Sequence, residues 1–143
     1  MNPYLNVVCV NCNFTNRVLR ERLDAAKCGN CKHPLMVDHP YELTDASFDR
    51  HVSMNEIPLV VDFWAPWCGP CRAMAATYDR AAAQLAPHVR LAKLNTEAQP
   101  KSAARFGIRS IPTLIAFKNG SEVARQSGGM DLVHLSQWIR ANV

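Results

Sequence analysis

The sequence predicts an α/β fold, a central mixed β-sheet flanked by helices, with a small cysteine-rich segment ahead of it. Three observations lead there. From residue 41 onward, apolar runs of strand length alternate with segments of helical period. Asn119-Gly120, between two strand-like runs, marks a tight hairpin, so the sheet is not wholly parallel. Before residue 41 large apolar groups are sparse, and so short a segment cannot bury enough surface to fold without a staple. His39-Pro40 reads as a turn or linker, which divides the chain into 1–38 and 39–143.

Taken in order, a first helix opens near Thr44 or Asp45, with Phe48 and Val52 four apart on one face. Leu59-Val60-Val61-Asp62-Phe63-Trp64 is nearly continuous in apolar residues, the pattern of a strand covered on both faces. A second helix starts at the Cys68 to Cys71 segment and runs to about Leu85, with Met74, Tyr78, Ala82 and Leu85 on its inner stripe. Val89 to Leu94 reads as a strand, Pro100 to Phe106 as a short helix stopped by Gly107, and Thr113 to Phe117 as another strand. The hairpin leads into Glu122 to Gln126. The last helix, about Asp131 to Ala141, turns Leu132, Leu135, Trp138 and Ile139 toward the core.

Composition narrows the class. With 48% hydrophobic and 20% charged residues, the chain matches soluble globular proteins rather than disordered ones, and no apolar run has the length of a membrane span. The N-terminus lacks the basic start, apolar stretch and cleavage site of an export signal, so the expected compartment is the cytoplasm. A net charge of +4 is too small to argue for nucleic acid, and Glu21 and Asp24 dilute the basic residues Arg17, Arg20, Arg22 and Lys27.

Six cysteines form three pairs of identical spacing: Cys9/Cys12, Cys28/Cys31 and Cys68/Cys71. In a reducing compartment such pairs read as metal-binding or catalytic rather than as a disulfide framework. The first two pairs stand fifteen residues apart, the spacing of a four-cysteine structural zinc site. Two hooks would supply four soft sulfurs to a tetrahedral ion, with Gly29 permitting the turn of the second. A closed site of this kind does not catalyse, and its metal affinity becomes the folding energy that the segment lacks. Two local disulfides or free thiols are the alternative. His33 and His39 are further ligand types, but four cysteines suffice.

The third pair lies in Trp67-Cys68-Gly69-Pro70-Cys71, between a buried strand and a helix. Cys68 then sits at the helix N-terminus, where unpaired amides and the dipole favour a thiolate, the attacking species in disulfide exchange. Pro70 suits the first helical turn and stiffens the loop. Cys71 lies one turn further on, more buried, as a thiol. Asp62 interrupts an apolar strand, where a buried carboxylate has a raised pKa; a solvated carboxylate at a strand end is the plainer account.

From about Tyr41 to Val143 the chain resembles a thioredoxin. Trp67-Cys68-Gly69-Pro70-Cys71, Asp62, Lys93 and Ile111-Pro112-Thr113 stand in that family's order and spacing, and the paired hooks resemble the N-terminal zinc ribbon of the bacterial thioredoxin 2 subclass. The resemblance implies a thioredoxin fold and a general protein disulfide reductase. Cys68 would attack a substrate disulfide and Cys71 would resolve the mixed disulfide. Asp62 would help Cys71 lose its proton, with Lys93 nearby. Trp67, Gly69, Pro70, Ile111, a cis Pro112 and Gly128 would form the substrate-docking surface. Partners implied are disulfide-containing proteins and an NADPH-dependent thioredoxin reductase, so no organic cofactor is expected; nor are nucleic acid, membrane or oligomerisation. Gly69-Pro70 and the missing export signal disfavour net disulfide formation or isomerisation. One departure from the family is Ala76, where many thioredoxins carry a helix-kinking proline. A competing class of function makes the zinc ribbon the working device, a binding module or redox sensor that the other domain positions.

Overall fold

A computed structural model describes residues 2–143. Two strands, β1 (Tyr4–Val8) and β2 (Thr15–Leu19), pair antiparallel and lead into a 3-10 turn at Arg20–Ala25. Then follow β3 (Tyr41–Glu42), α1 (Phe48–Ser53), β4 (Leu59–Trp64), α2 (Gly69–Leu85), β5 (Arg90–Asn95), α3 (Pro100–Arg105), β6 (Thr113–Lys118), β7 (Ser121–Ser127) and α4 (Leu132–Asn142). These five later strands form one sheet in the order β3-β5-β4-β6-β7. β3, β5 and β4 run parallel, and β6 and β7 antiparallel, as a mixed sheet requires.

Alternation along each strand divides the core between the two faces of the sheet. Val60, Leu91, Leu114 and Ala116 meet Met74, Tyr78, Ala82 and Leu85 of α2 and Leu135 and Ile139 of α4. On the opposite face Val61, Phe63, Ala92, Leu94, Ile115 and Phe117 meet Phe48 and Val52 of α1, with Phe106 packed alongside. Leu132 and Trp138 are only partly buried against the first of these clusters. The hairpin closes through Asn119 at φ 54° and Gly120 at φ 81°, both in the left-handed region that its two-residue turn demands.

Three expectations need correction. The first helix begins at Phe48, not Thr44, because Thr44 and Ser47 spend their hydroxyls on each other's backbone N–H groups and form a separate turn. The sequence reading assigned no strand to Tyr41–Glu42, β1 or β2, although Leu5 and Val7 alternate inward. The positive φ that tightens each cysteine hook falls on Asn13 (66°) and Lys32 (68°), not on Gly29.

The N-terminal segment packs against the start of β4 and β5. Ile57 joins its cluster of Leu5, Val7, Val18, Leu23 and Leu35. Arg90, only 3% exposed, binds across the contact: Nη1 donates to the Val8 carbonyl (2.7 Å) and to Asn55 Oδ1 (3.0 Å), and Nη2 to the Leu35 carbonyl (2.6 Å). Among the described residues no carboxylate pairs with it; backbone carbonyls, the Asn55 side chain and the Tyr41 ring, whose centroid is 5.4 Å from the guanidinium carbon, offset the buried charge, while Nε has no partner. Nearby, His51 Nε2 donates to Asn13 Oδ1 at 2.9 Å, and burial with the neighbouring Arg90 and Arg50 charges holds this imidazole neutral, its pKa pushed down to about 3.

Arg90→Ala leaves two buried carbonyls without donors and is expected to lower the unfolding free energy by about 3 kcal/mol in urea titrations. Arg90→Lys, with one point charge in place of the fork, restores only part of that loss.

Candidate active site and metal-ligating cluster

Strand β4 delivers the chain to the redox pair. After Trp64 a turn, closed by the Cys68 N–H donating to the Ala65 carbonyl at 3.1 Å, brings Cys68 to the N-cap of α2 in extended conformation. The Cys71 N–H donates to Cys68 Sγ at 3.2 Å, so a free helix-end amide points at the sulfur. Cys68 and Cys71 form a disulfide with Cα atoms 5.2 Å apart. Contrary to expectation, Cys71 is scarcely more buried than Cys68, at 3% and 4% exposed. The disulfide draws both sulfurs under the turn, and Cys68 Sγ lies 3.7 Å from the Ile111 carbonyl oxygen.

Asp62 is 1% exposed, and its Oδ1 has no hydrogen-bond partner, which removes the plainer account of a solvated strand-end carboxylate. It lies on the sheet face that α2 covers, in register with Lys93 of β5, which is in turn in register with Glu42 of β3. Burial raises the Asp62 pKa to about 7; Lys93 opposes the rise and Glu42 adds to it. Burial likewise raises Glu42, against the pull of Lys93. The Lys93 ammonium rests 4.3 Å from the centroid of the Trp64 ring. Sequence reasoning missed Glu42. The signal was there: Tyr41-Glu42-Leu43 alternates as an edge strand does, with both apolar neighbours buried.

Around the pair, Trp67 is 66% exposed, Gly69, Pro70 and Gly128 are exposed, Ile111 is half-buried and Pro112 is buried. The Ile111–Pro112 bond is cis. The Gly128 N–H donates to the Pro112 carbonyl at 2.9 Å, at φ +90°, a conformation that favours glycine. Trp67, Cys68, Ile111, Pro112 and Gly128 thus come from three separate stretches of chain.

At the other end of the sheet the sulfurs of Cys9, Cys12, Cys28 and Cys31 all lie within 4.8 Å of one another. Cys9 to Cys31 and Cys12 to Cys28 are each 3.6 Å apart. Tetrahedral zinc with bonds of about 2.3 Å requires sulfurs about 3.8 Å apart, so the donor set and spacing fit zinc. The hooks share one geometry: Asn13 and Lys32 return their N–H groups to the Cys9 and Cys28 carbonyls at 3.0 and 2.9 Å. Donation from the Asn11 side chain and the His33 backbone holds the Cys31 thiol below its usual range, whereas burial pushes the Cys9 thiol up to about 12. Neither His33 nor His39 belongs to the cluster.

Comparison with known proteins decides the family. The thioredoxin family model matches residues 39–141. Thioredoxin C-3 of Corynebacterium nephridii is 41% identical over 93% of this chain and 92% of its own. The chain belongs to the thioredoxin family. Thioredoxin 1 of Nostoc sp. is 41% identical over 71% of this chain and 95% of its own, and thioredoxin 1 of Synechococcus elongatus 51% over 57% and 76%. The 134 residues matched by the first, out of 143, necessarily include most of the N-terminal segment. Members of this family are protein disulfide oxidoreductases. In this thioredoxin α2 runs as one helix through Ala76, and no helix among the described residues is long and apolar enough to cross a membrane.

The raised pKa of Asp62 has a signed consequence for stability. Below about pH 4 the carboxyl is protonated folded or unfolded; above about 7 the native state must hold a buried anion. Stability due to the protonated form is therefore lost as pH rises between these values. Asp62→Asn is expected to gain a few kcal/mol over the unsubstituted protein at pH 8.5 and almost nothing at pH 4, read from urea unfolding of the oxidised form.

Proposed function

We propose that this thioredoxin is a general protein disulfide reductase, built as a zinc ribbon (residues 1–38) and a thioredoxin domain (39–143). It acts as a monomer in the cytoplasm, recycled by an NADPH-dependent thioredoxin reductase. The observation that carries the reading is Cys68 at the N-cap of α2, receiving the Cys71 N–H at 3.2 Å, with the second sulfur one turn away.

In the reduced enzyme the Cys68 thiolate attacks one sulfur of a substrate disulfide. A mixed disulfide forms and the other substrate sulfur leaves as a thiolate that takes a proton. Cys71 then loses its proton and attacks Cys68 Sγ, which breaks the mixed disulfide and releases the second substrate thiol. Substrate gains two electrons and the enzyme keeps the Cys68–Cys71 disulfide. Asp62, buried on the α2 face, accepts the Cys71 proton. A pKa near 7 suits that task, since such a base is partly ionised at neutral pH and strong enough to take a proton. Lys93 opposes the rise and keeps the ionised form accessible. The exposed face of Trp67 and the edges at Ile111, Pro112 and Gly128 offer an apolar rim and backbone groups to an extended substrate segment.

Zinc in the ribbon, held by Cys9, Cys12, Cys28 and Cys31, would supply folding energy to a segment with a small core. The ribbon packs at the Arg90 and Glu56 end of the sheet. Cys68 follows the opposite end of β4, six residues or roughly 20 Å away, so the ribbon does not overlie the redox pair.

The test is reduction of insulin with dithiothreitol as electron source. The unsubstituted protein precipitates insulin chains; Cys68→Ser falls to the uncatalysed rate. Cys71→Ser accumulates a mixed disulfide through Cys68 that mass spectrometry detects. Full activity of Cys68→Ser overturns the reading.

A further inference from the structure

Two of the four ribbon sulfurs are reachable from solvent. Cys9 and Cys28 are completely covered, whereas Cys12 and Cys31 are half-buried. Partly exposed thiolates are a hazard in a protein whose own reaction is disulfide exchange, because they compete for the disulfides that Cys68 attacks. Each of these sulfurs receives one side-chain donor, and each donor comes from the opposite hook. The Asn11 carboxamide donates to Cys31 Sγ at 3.5 Å, and the Asn30 carboxamide to Cys12 Sγ at 3.6 Å. The backbone N–H groups of the same residues serve the covered sulfur of their own hook, Asn11 to Cys9 at 3.3 Å and Asn30 to Cys28 at 3.4 Å. Both asparagines are exposed, and neither carboxamide has another protein partner among the described residues. The arrangement repeats with two-fold regularity in Cys9-Val10-Asn11-Cys12 and Cys28-Gly29-Asn30-Cys31.

We propose that Asn11 and Asn30 are positioning residues that cross-brace the metal ligands and quench the nucleophilicity of Cys31 and Cys12, which keeps the ribbon out of the exchange chemistry. The assignment rests on the reading that the four sulfurs hold zinc. An N–H donor withdraws negative charge from a thiolate, and losing such an outer partner typically costs about 10- to 100-fold in metal affinity. The two exposed sulfurs each take their carboxamide from across the site, which places that protection where attack occurs and ties the hooks together, while the covered Cys28 takes a carboxamide from Asn16 at 3.5 Å.

The test uses the full chain carrying Cys68→Ser and Cys71→Ser, so that only ribbon sulfurs react. Zinc is first counted on this protein; a chain purified without zinc overturns the zinc reading and the proposal with it. Iodoacetamide is then added: a ribbon thiolate displaces iodide and forms a thioether. A chromogenic chelator reports zinc release, and peptide mapping reports which cysteine reacts first. Asn11→Ala is expected to accelerate alkylation of Cys31 about 10-fold and leave Cys12 at its original rate; Asn30→Ala does the reverse. Asn11→Asp, which keeps the shape but replaces the donor by an anion, accelerates Cys31 at least as much. With zinc bound, unchanged rates, sensitisation of the cysteine in the same hook, equal loosening of both hooks, or an inert Asp variant would each overturn the assignment.

Discussion

Everything in this molecule that concerns the redox pair depends on one helix end being held still. An anionic sulfur at the start of α2 is stabilised only while the first-turn amides keep pointing at it, and a helix end frays unless its later turns are anchored. The anchor here is long. Met74, Tyr78, Ala82 and Leu85 lock α2 to the sheet, and the Tyr78 hydroxyl donates to the Ala92 carbonyl at 2.8 Å. β4 fixes the other side of the turn, since Leu59 to Phe63 pair with β5 and β6 on both edges and Trp64 pairs with β5. The position of Cys68 is thus set by the core, not by the loop that carries it.

The same core tolerates two buried charges, and they are accommodated differently. The two terminal nitrogens of Arg90 donate to carbonyls of the N-terminal segment, so its burial is a bond between the two parts of the chain. Asp62 has an oxygen with no partner, and its charge is relieved only by Lys93, while Glu42 works against it. Arg90 Nε also lacks a partner, so an unpartnered atom does not separate the two residues. What separates them is setting: the terminal nitrogens of Arg90 bond across to the N-terminal segment, a mechanical tie, whereas Asp62 lies in register with Lys93 and, beyond it, Glu42, and its pKa of about 7 suits proton transfer.

Much of this was legible in the residues. β4, β6, α2 and α4 declared themselves because each carries an unbroken apolar run or stripe, and the order of those elements specifies the sheet. What escaped notice was set by partners far along the chain. Arg90 at the head of a strand looks like any surface arginine until the Val8 carbonyl, 82 residues earlier, arrives beside it. β3 is two residues long, so the alternation of Tyr41-Glu42-Leu43 is a weak signal, and Glu42 went unassigned with it. β1 and β2 have ordinary alternation but little core, and the Cys9 to Cys12 hook makes the turn between them. The turn at Thr44 delays α1 because two hydroxyls capture amides that the helix would otherwise have used.

The three cysteine pairs show why spacing alone does not determine chemistry. All read Cys-x-x-Cys, yet one forms a disulfide at a helix end and two converge as a four-sulfur cluster that fits a metal, and the difference lies in the backbone that follows the second cysteine. After Cys71 the chain continues as helix, which directs amides toward the first sulfur and leaves the pair alone at the helix end. After Cys12 and Cys31 the chain reverses through Asn13 and Lys32 in the left-handed region, and each hook closes on its first cysteine's carbonyl. A reversed hook turns both its sulfurs outward from the turn, so two such hooks face to face make a four-sulfur cage. Pro70 favours the first outcome, since it suits a helix's first turn. Of the two reversals, Asn13 is a residue type that favours positive φ, whereas Lys32 is not one that ordinarily adopts it. The four-sulfur cluster and the redox pair are thereby kept apart within one chain by backbone direction, and by the length of the sheet between them.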